Sequence, residues 1–330
     1  MSVLRKTSER FLGNDIKEVK AEDIIERLDS GTSLMKSFGA FRLWLTTATI
    51  GWLIRFVIRL VLQDSKKNQH QRILRFINSF FPTRVVRNNC QMERIGDKTG
   101  IVAYFNHQSR FEALATISWC LTNFEKKPIV LPANISWYEI LATIREDLES
   151  AGIIVIPMIT PKTVDLMRKN RNIDIEVINE IKSILDQYYF SRTIDCVLSG
   201  GIIALAPTAT RTAAIFPSYE EYCCEKDEGL SGKKPMKALV ASIQRKLPRT
   251  NGTSPVDIFY IPFGITRKGF RTRGLNLFRK HDVHVGDGAT HQDMMKLLRN
   301  GRLEHFVLHQ LTDLTPEELH YPPETRPGNT

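Results

Sequence analysis

From residue 100 onward the chain alternates between short apolar runs and longer stretches whose apolar positions recur at helical spacing. The runs 100–105, 128–132, 152–156, 201–206, 257–262 and 281–285 are predicted strands. The stretches near 109–122, 136–149, 174–190, 234–246 and 289–308 are predicted helices. Strand and helix in alternation predict an α/β fold with helices on the faces of its sheet. The runs around 101, 152 and 201 are almost continuously apolar, as strands buried on both faces should be.

The N-terminal pattern is different. Leu43 to Ile54 carries no charge, and Arg42 precedes it. Arg55 and Arg59 interrupt the apolar residues that follow. A spanning helix needs about 20 mostly apolar residues. This uncharged core is shorter, and arginines near a bilayer centre are costly unless they snorkel. Trp44 and Trp52 favour the membrane interface. The segment 41–62 is therefore expected to be a helix lying in or against one leaflet. The competing readings are a helix buried against the following domain and, behind both, a tilted span. The expected organisation is an N-terminal helical, membrane-associating region over 1–84, an α/β domain over 85–310 and a mobile tail over 311–330. The stretch 218–235 turns polar and is expected to be a surface loop.

Composition narrows the picture only a little. A chain of 330 residues with 42% hydrophobic residues is long enough for one large domain plus an accessory region. Its net charge of +10 fits nucleic acid or an anionic membrane surface as a partner, or simple solubility, and by itself decides nothing. No zinc-finger spacing or aromatic RNA-binding signature supports nucleic acid, so none is expected as a partner. Cys90, Cys120, Cys196, Cys223 and Cys224 lack metal-ligand spacing and read as reduced thiols. The first forty residues alternate charged and apolar positions, unlike a signal peptide.

Chemistry concentrates where two predicted strands end. The run Ile101 to Phe105 stops at Asn106-His107, and Glu112 follows five positions after the histidine. On a continuous helix positions five apart lie about 140° apart, so the two side chains can meet only if His107 precedes the regular helix. An imidazole on such a loop with a carboxylate nearby suits a general base, because the carboxylate orients the ring and stabilises the imidazolium. The second strand, Ile202 to Ala206, runs into Pro207-Thr208-Ala209-Thr210-Arg211-Thr212. Hydroxyls and a guanidinium at a strand's C-terminal end suit a phosphate.

In this order, about a hundred residues apart, the two segments resemble the lysophospholipid and glycerol-phosphate acyltransferase family. That family carries Asn-His, four residues and Asp, then a strand ending in Pro-Glu-Gly-Thr-Arg-Ser. Asn106, His107, Gln108 and Ser109 match the first motif, with Glu112 in place of Asp. Pro207, Thr210 and Arg211 match the second, while Thr208, Ala209 and Thr212 depart from it. Two further blocks look similar: Ala151 to Pro157, without the Arg that usually closes it, and Ile261 to Thr266. The resemblance spans roughly 85 to 290.

It implies an acyltransferase domain with a mixed, mostly parallel sheet flanked by helices, membrane-associated and facing the cytosol. His107 would be the general base and Glu112 its orienting carboxylate. Asn106, Ser109, Arg110, Thr208, Thr210 and Arg211 would bind substrate. The donor would be an acyl thioester, acyl-coenzyme A or acyl carrier protein, used as co-substrate with no metal or other cofactor. The acceptor would be a hydroxyl of a glycerol phosphate or lysophospholipid-like molecule. The altered second motif keeps open a catalytically silent member that binds lipid or a partner.

Three other features are structural on this reading. His281 and His284 lie three apart on a predicted strand and so face opposite ways, which disfavours a metal site and reads as a surface strand. Arg267, Lys268, Arg271, Arg273, Arg279 and Lys280 form a basic cluster fit for coenzyme A phosphate, carrier protein or headgroups, or simply for solvent. Lys162, Arg168, Lys169 and Arg171 follow the strand at 152–156 and are candidates to replace its missing Arg.

Overall fold

A computed structural model describes residues 19–30, 34, 69–106, 112–141, 144–160, 163–164, 175–207, 235–247, 257–266 and 280–315. In chain order its elements are α1 (Ala21–Asp29), α2 (Gln69–Phe80), β1 (Thr83–Asn88), β2 (Gly100–Phe105), α3 (Glu112–Asn123), β3 (Ile129–Asn134), α4 (Ile135–Leu141), α5 (Arg145–Ser150) and β4 (Ile153–Met158). There follow α6 (Ile175–Leu198), β5 (Ile202–Leu205), α7 (Pro235–Lys246), β6 (Ile258–Thr266), β7 (His281–Val285), β8 (Ala289–Thr290), α8 (His291–Arg299) and α9 (Leu303–Asp313). The fold is α/β, with mixed, mostly parallel strands flanked by helices. The predicted strands are all present, although β6 runs four residues further than expected.

The chain groups into two compact units, Met1–Arg72 with Val130–Thr193, and Ile73–Ile129 with Ile194–Thr330. This grouping is not the contiguous one expected. The boundary at 84/85 falls inside β1, and the expected tail from 311 begins inside α9, where Leu311, Leu314 and Thr315 are buried. Residues 316–330 and the whole segment 41–62 lie outside the described residues. Among the described residues no helix is long and apolar enough to cross a membrane.

In the first unit, β3 and β4 are neighbours, and α4 and α5 pack on β4. Its core joins Ile24 and Leu28 of α1 with Ile135, Tyr138, Ile159, Ile178, Ile181 and Leu185. The Tyr138 hydroxyl donates to Asp29 at 2.8 Å, and Arg145 bridges Asp29 and Glu149.

In the second unit the strand order is β1-β7-β6-β2-β5, with β8 pairing β6. β2 is parallel to both neighbours, pairing Tyr104 with Leu205 of β5 and Phe105 with Phe263 of β6. All nine residues of β6 and all six of β2 are buried, and β2 accordingly reads as an unbroken apolar run. Trp119 of α3 meets Phe263 edge to face, its ring centroid 5.1 Å away. Tyr104 donates instead to Gln310 of α9, and Tyr260 lies within hydrogen-bond distance of His291 of α8. Helix α3 and the α8–α9 pair thus cover opposite faces of the β2–β6 sheet.

β7 corrects one expectation. Its side chains do alternate, but it lies between β1 and β6, with His281, Val283 and Val285 buried, and is no surface strand. The exposed edge strand is β1, pinned by the two-pronged Arg84–Asp282 pair at 2.8 and 2.9 Å.

Candidate active site at the C-terminal edge of the sheet

Two parallel neighbours, β2 and β5, deliver both sequence segments to one sheet edge. With Tyr104 opposite Leu205, the chain leaves β2 at Asn106 and β5 at Ala206-Pro207, side by side. Open α/β sheets bind ligands outside the carboxyl ends of their strands. Of the predicted site residues, Asn106 and Glu112 are described. His107, Ser109, Arg110, Thr208, Thr210 and Arg211 lie outside the described residues, as do the basic positions 267–279, Lys162, Arg168, Lys169 and Arg171.

Asn106 is 3% exposed. Its side-chain Oδ1 accepts from the Ile265 N–H at 2.6 Å, and its Nδ2 donates to the Ile265 carbonyl at 3.0 Å. Its own N–H donates to the Phe263 carbonyl at 3.4 Å. The amide is thus engaged by the backbone of β6 in a structural link, distinct from the substrate contact expected of it.

Glu112 opens α3 and is 2% exposed. A carboxylate in the first turn meets the positive end of the helix dipole. Strand β2 ends at Phe105 and α3 is described from Glu112; residues 107–111 between them lie outside the described residues.

The opposite, N-terminal edge holds a residue that sequence reasoning missed. Lys127 is 8% exposed, and its Nζ donates to the carbonyls of Asp97, Thr99 and Gly200 at 2.7, 2.8 and 2.9 Å. Burial lowers its pKa, and the nearby Asp97 carboxylate opposes the shift. A single lysine before Pro128 gave no signal of this. A second missed network lies under β6. His291 Nδ1 is 2.9 Å from the Tyr260 hydroxyl, and its Nε2 is 3.1 Å from Gln244 Oε1. Burial holds this imidazole down at about 4, so it is neutral at ordinary pH.

Among the described residues, cysteines offer little as nucleophiles. Cys90, Cys120 and Cys196 are free thiols. Burial pushes Cys90 up to about 11, and Cys120 higher still, so neither supplies a thiolate near neutrality. Among the described residues no group of His, Cys, Asp and Glu could hold a metal ion. Comparison with known protein families, with characterised proteins and with solved structures finds no match to this chain.

Proposed function

We propose that this protein is a membrane-associated O-acyltransferase that moves a fatty acyl group from an acyl thioester to a hydroxyl of a glycerol phosphate or lysophospholipid-like acceptor. The observation that carries the reading is the register of β2 with β5. It brings the ends of two segments that resemble one family's motifs, a hundred residues apart in sequence, to adjacent positions on one sheet edge. The buried carboxylate at the start of α3 is of the kind that could orient the base.

In this mechanism His107 takes the proton of the acceptor hydroxyl as its oxygen attacks the thioester carbon. The tetrahedral intermediate collapses, the carbon–sulfur bond breaks and the thiolate leaves. The imidazolium returns its proton to the sulfur, and a new ester remains on the acceptor. Glu112 orients the ring and offsets its positive charge during the step. Arg211, with Thr208 or Thr210, holds the acceptor's phosphate, and Ser109 and Arg110 line the site. Acyl-coenzyme A or acyl carrier protein supplies the acyl group, and residues 41–62 bring the chain to the cytosolic face of a membrane.

The test is incubation of the purified full chain with a labelled acyl thioester and a panel of lysolipids and glycerol 3-phosphate, with and without anionic vesicles. Labelled ester on one of these acceptors, absent with His107→Ala, is the expected result. No transfer to any acceptor overturns the reading.

A further inference from the structure

Strand β2 ends at Phe105, yet its pairing with β6 continues for one more position through a side chain. The Asn106 amide accepts from the Ile265 N–H at 2.6 Å and donates to the Ile265 carbonyl at 3.0 Å. A primary amide carries one acceptor and donors on a planar group, the same complement as a peptide unit. It therefore satisfies both backbone groups of Ile265 at once. A carboxylate offers no donor, and alanine offers neither. The site is buried, so a lost partner is not replaced by bulk water. The clip joins positions 159 residues apart in sequence and sits one residue before His107.

We propose that Asn106 is a positioning residue, whose amide clip fixes where the chain leaves the sheet and so where the His107 imidazole stands. Successive Cα atoms are held about 3.8 Å apart across a trans peptide, so anchoring residue 106 restricts residue 107 directly. Misplacing a catalytic group by about 1 Å can reduce a rate roughly a hundredfold. The chemical consequence rests on the acyl-transfer reading; the coupling of clip to imidazole does not.

The experiment compares wild type, Asn106→Ala and Asn106→Asp in the full chain, with Lys127→Met as a control that disturbs the far edge of the same strands. Two readouts are taken. In acyl transfer, Asn106→Ala should lower kcat about ten- to a hundredfold while leaving the thioester KM within about twofold. Asn106→Asp should be impaired at neutral pH, and its activity relative to wild type at the same pH should recover as pH falls and its carboxyl regains a proton to donate. In histidine-labelled NMR, the His107 resonance, identified by its loss in His107→Gln, should move in Asn106→Ala and stay in place in Lys127→Met. Activity that falls only with the folded fraction, or a His107 resonance unmoved by Asn106→Ala, overturns the proposal. Should Asn106→Ala fail to fold, the near-isosteric Asn106→Asp supplies the same two readouts. Should the wild type transfer no acyl group, the acyl-transfer reading falls, and the resonance alone decides the positioning role.

Discussion

Where β2 and β5 begin, backbone meets backbone with no room to spare. A Cβ on Gly100 would stand 2.1 Å from the Val197 carbonyl oxygen, and Gly200 turns the chain with φ +85°. The Ile202 N–H donates to the Pro128 carbonyl at 2.7 Å, and Lys127 ties three carbonyls together. Where the same strands end, the described contacts are the side-chain clip from Asn106 to Ile265 and the buried Glu112 carboxylate, and the chain departs into polar sequence. On the proposed function one edge braces the strands and the other presents the reacting side chains. Stability and chemistry should therefore separate along the length of two strands, and variants at the two ends should fail in different ways.

The largest effect belongs to the C-terminal edge. His107→Ala should reduce acyl transfer by roughly 10²–10⁴-fold, the usual range for a general base, with an unfolding midpoint close to wild type. Kinetics and denaturant unfolding on the same sample check both halves of this statement. Near-normal turnover would end the proposed mechanism. At the other edge Gly100→Ala should show the reverse. The clash is with backbone, so no rotamer relieves it, and the loss should be about 3 kcal/mol, the upper range for overpacking. The folded remainder should keep its specific activity.

The next test uses acid. His291 titrates at about 4 in the folded protein against 6.5 when free, because burial disfavours its charge. Between those values the unfolded chain binds the extra proton, so stability falls as pH falls from 6.5 towards 4 and is fully present above 6.5. The contribution is roughly 3 kcal/mol. His291→Gln, which cannot charge, should flatten this part of the stability profile. The pH profile of acyl transfer, which the proposed mechanism assigns to His107, should keep its shape in that variant. If both profiles change together, the two halves of the sheet are not independent.

The sequence exposed most where burial was complete. β2 and β5 are short, fully buried apolar runs, β4 is such a run although only half of its residues are buried, and β7 alternates in burial as in sequence. β1 escaped because Thr-Arg-Val-Val-Arg-Asn has neither alternation nor an apolar run. Only its pairing with β7, about 200 residues away, makes it a strand. α1 and α2 lie in a region whose pattern was read for membrane affinity. β6 extends to Thr266 because Phe263 to Thr266 pair with β7, a contact no local pattern encodes. The motif residues of the proposed site are chosen by residue type and spacing, and of them only Asn106 and Glu112 are described. What Asn106 and Lys127 do was not legible, since each acts on backbone groups far along the chain, and neither residue's neighbours in sequence carry a trace of that.

The smallest effect, and the most direct check on the comparison, comes from Lys127→Met. Methionine keeps much of the aliphatic stem and so the packing, but removes the three donated hydrogen bonds. The carbonyls of Asp97, Thr99 and Gly200 stay behind with no donor of equal reach. Relief of a buried charge works the other way, because burial already disfavours the ammonium, as its lowered pKa records. Leaving hydrogen-bonding groups buried without partners costs about 1–3 kcal/mol, and the recovered desolvation offsets part of it, so a net loss of about 1–2 kcal/mol is expected. Chemical denaturation measures it as a lower midpoint with an unchanged slope. Acyl transfer per folded molecule should stay within about twofold of wild type, since the lysine stands at the far end of β2 from Asn106. A variant as stable as wild type would mean that the three carbonyls find other donors and the brace is dispensable. A variant of normal stability but low kcat would tie the two edges together and remove the basis for treating one as scaffold and the other as site.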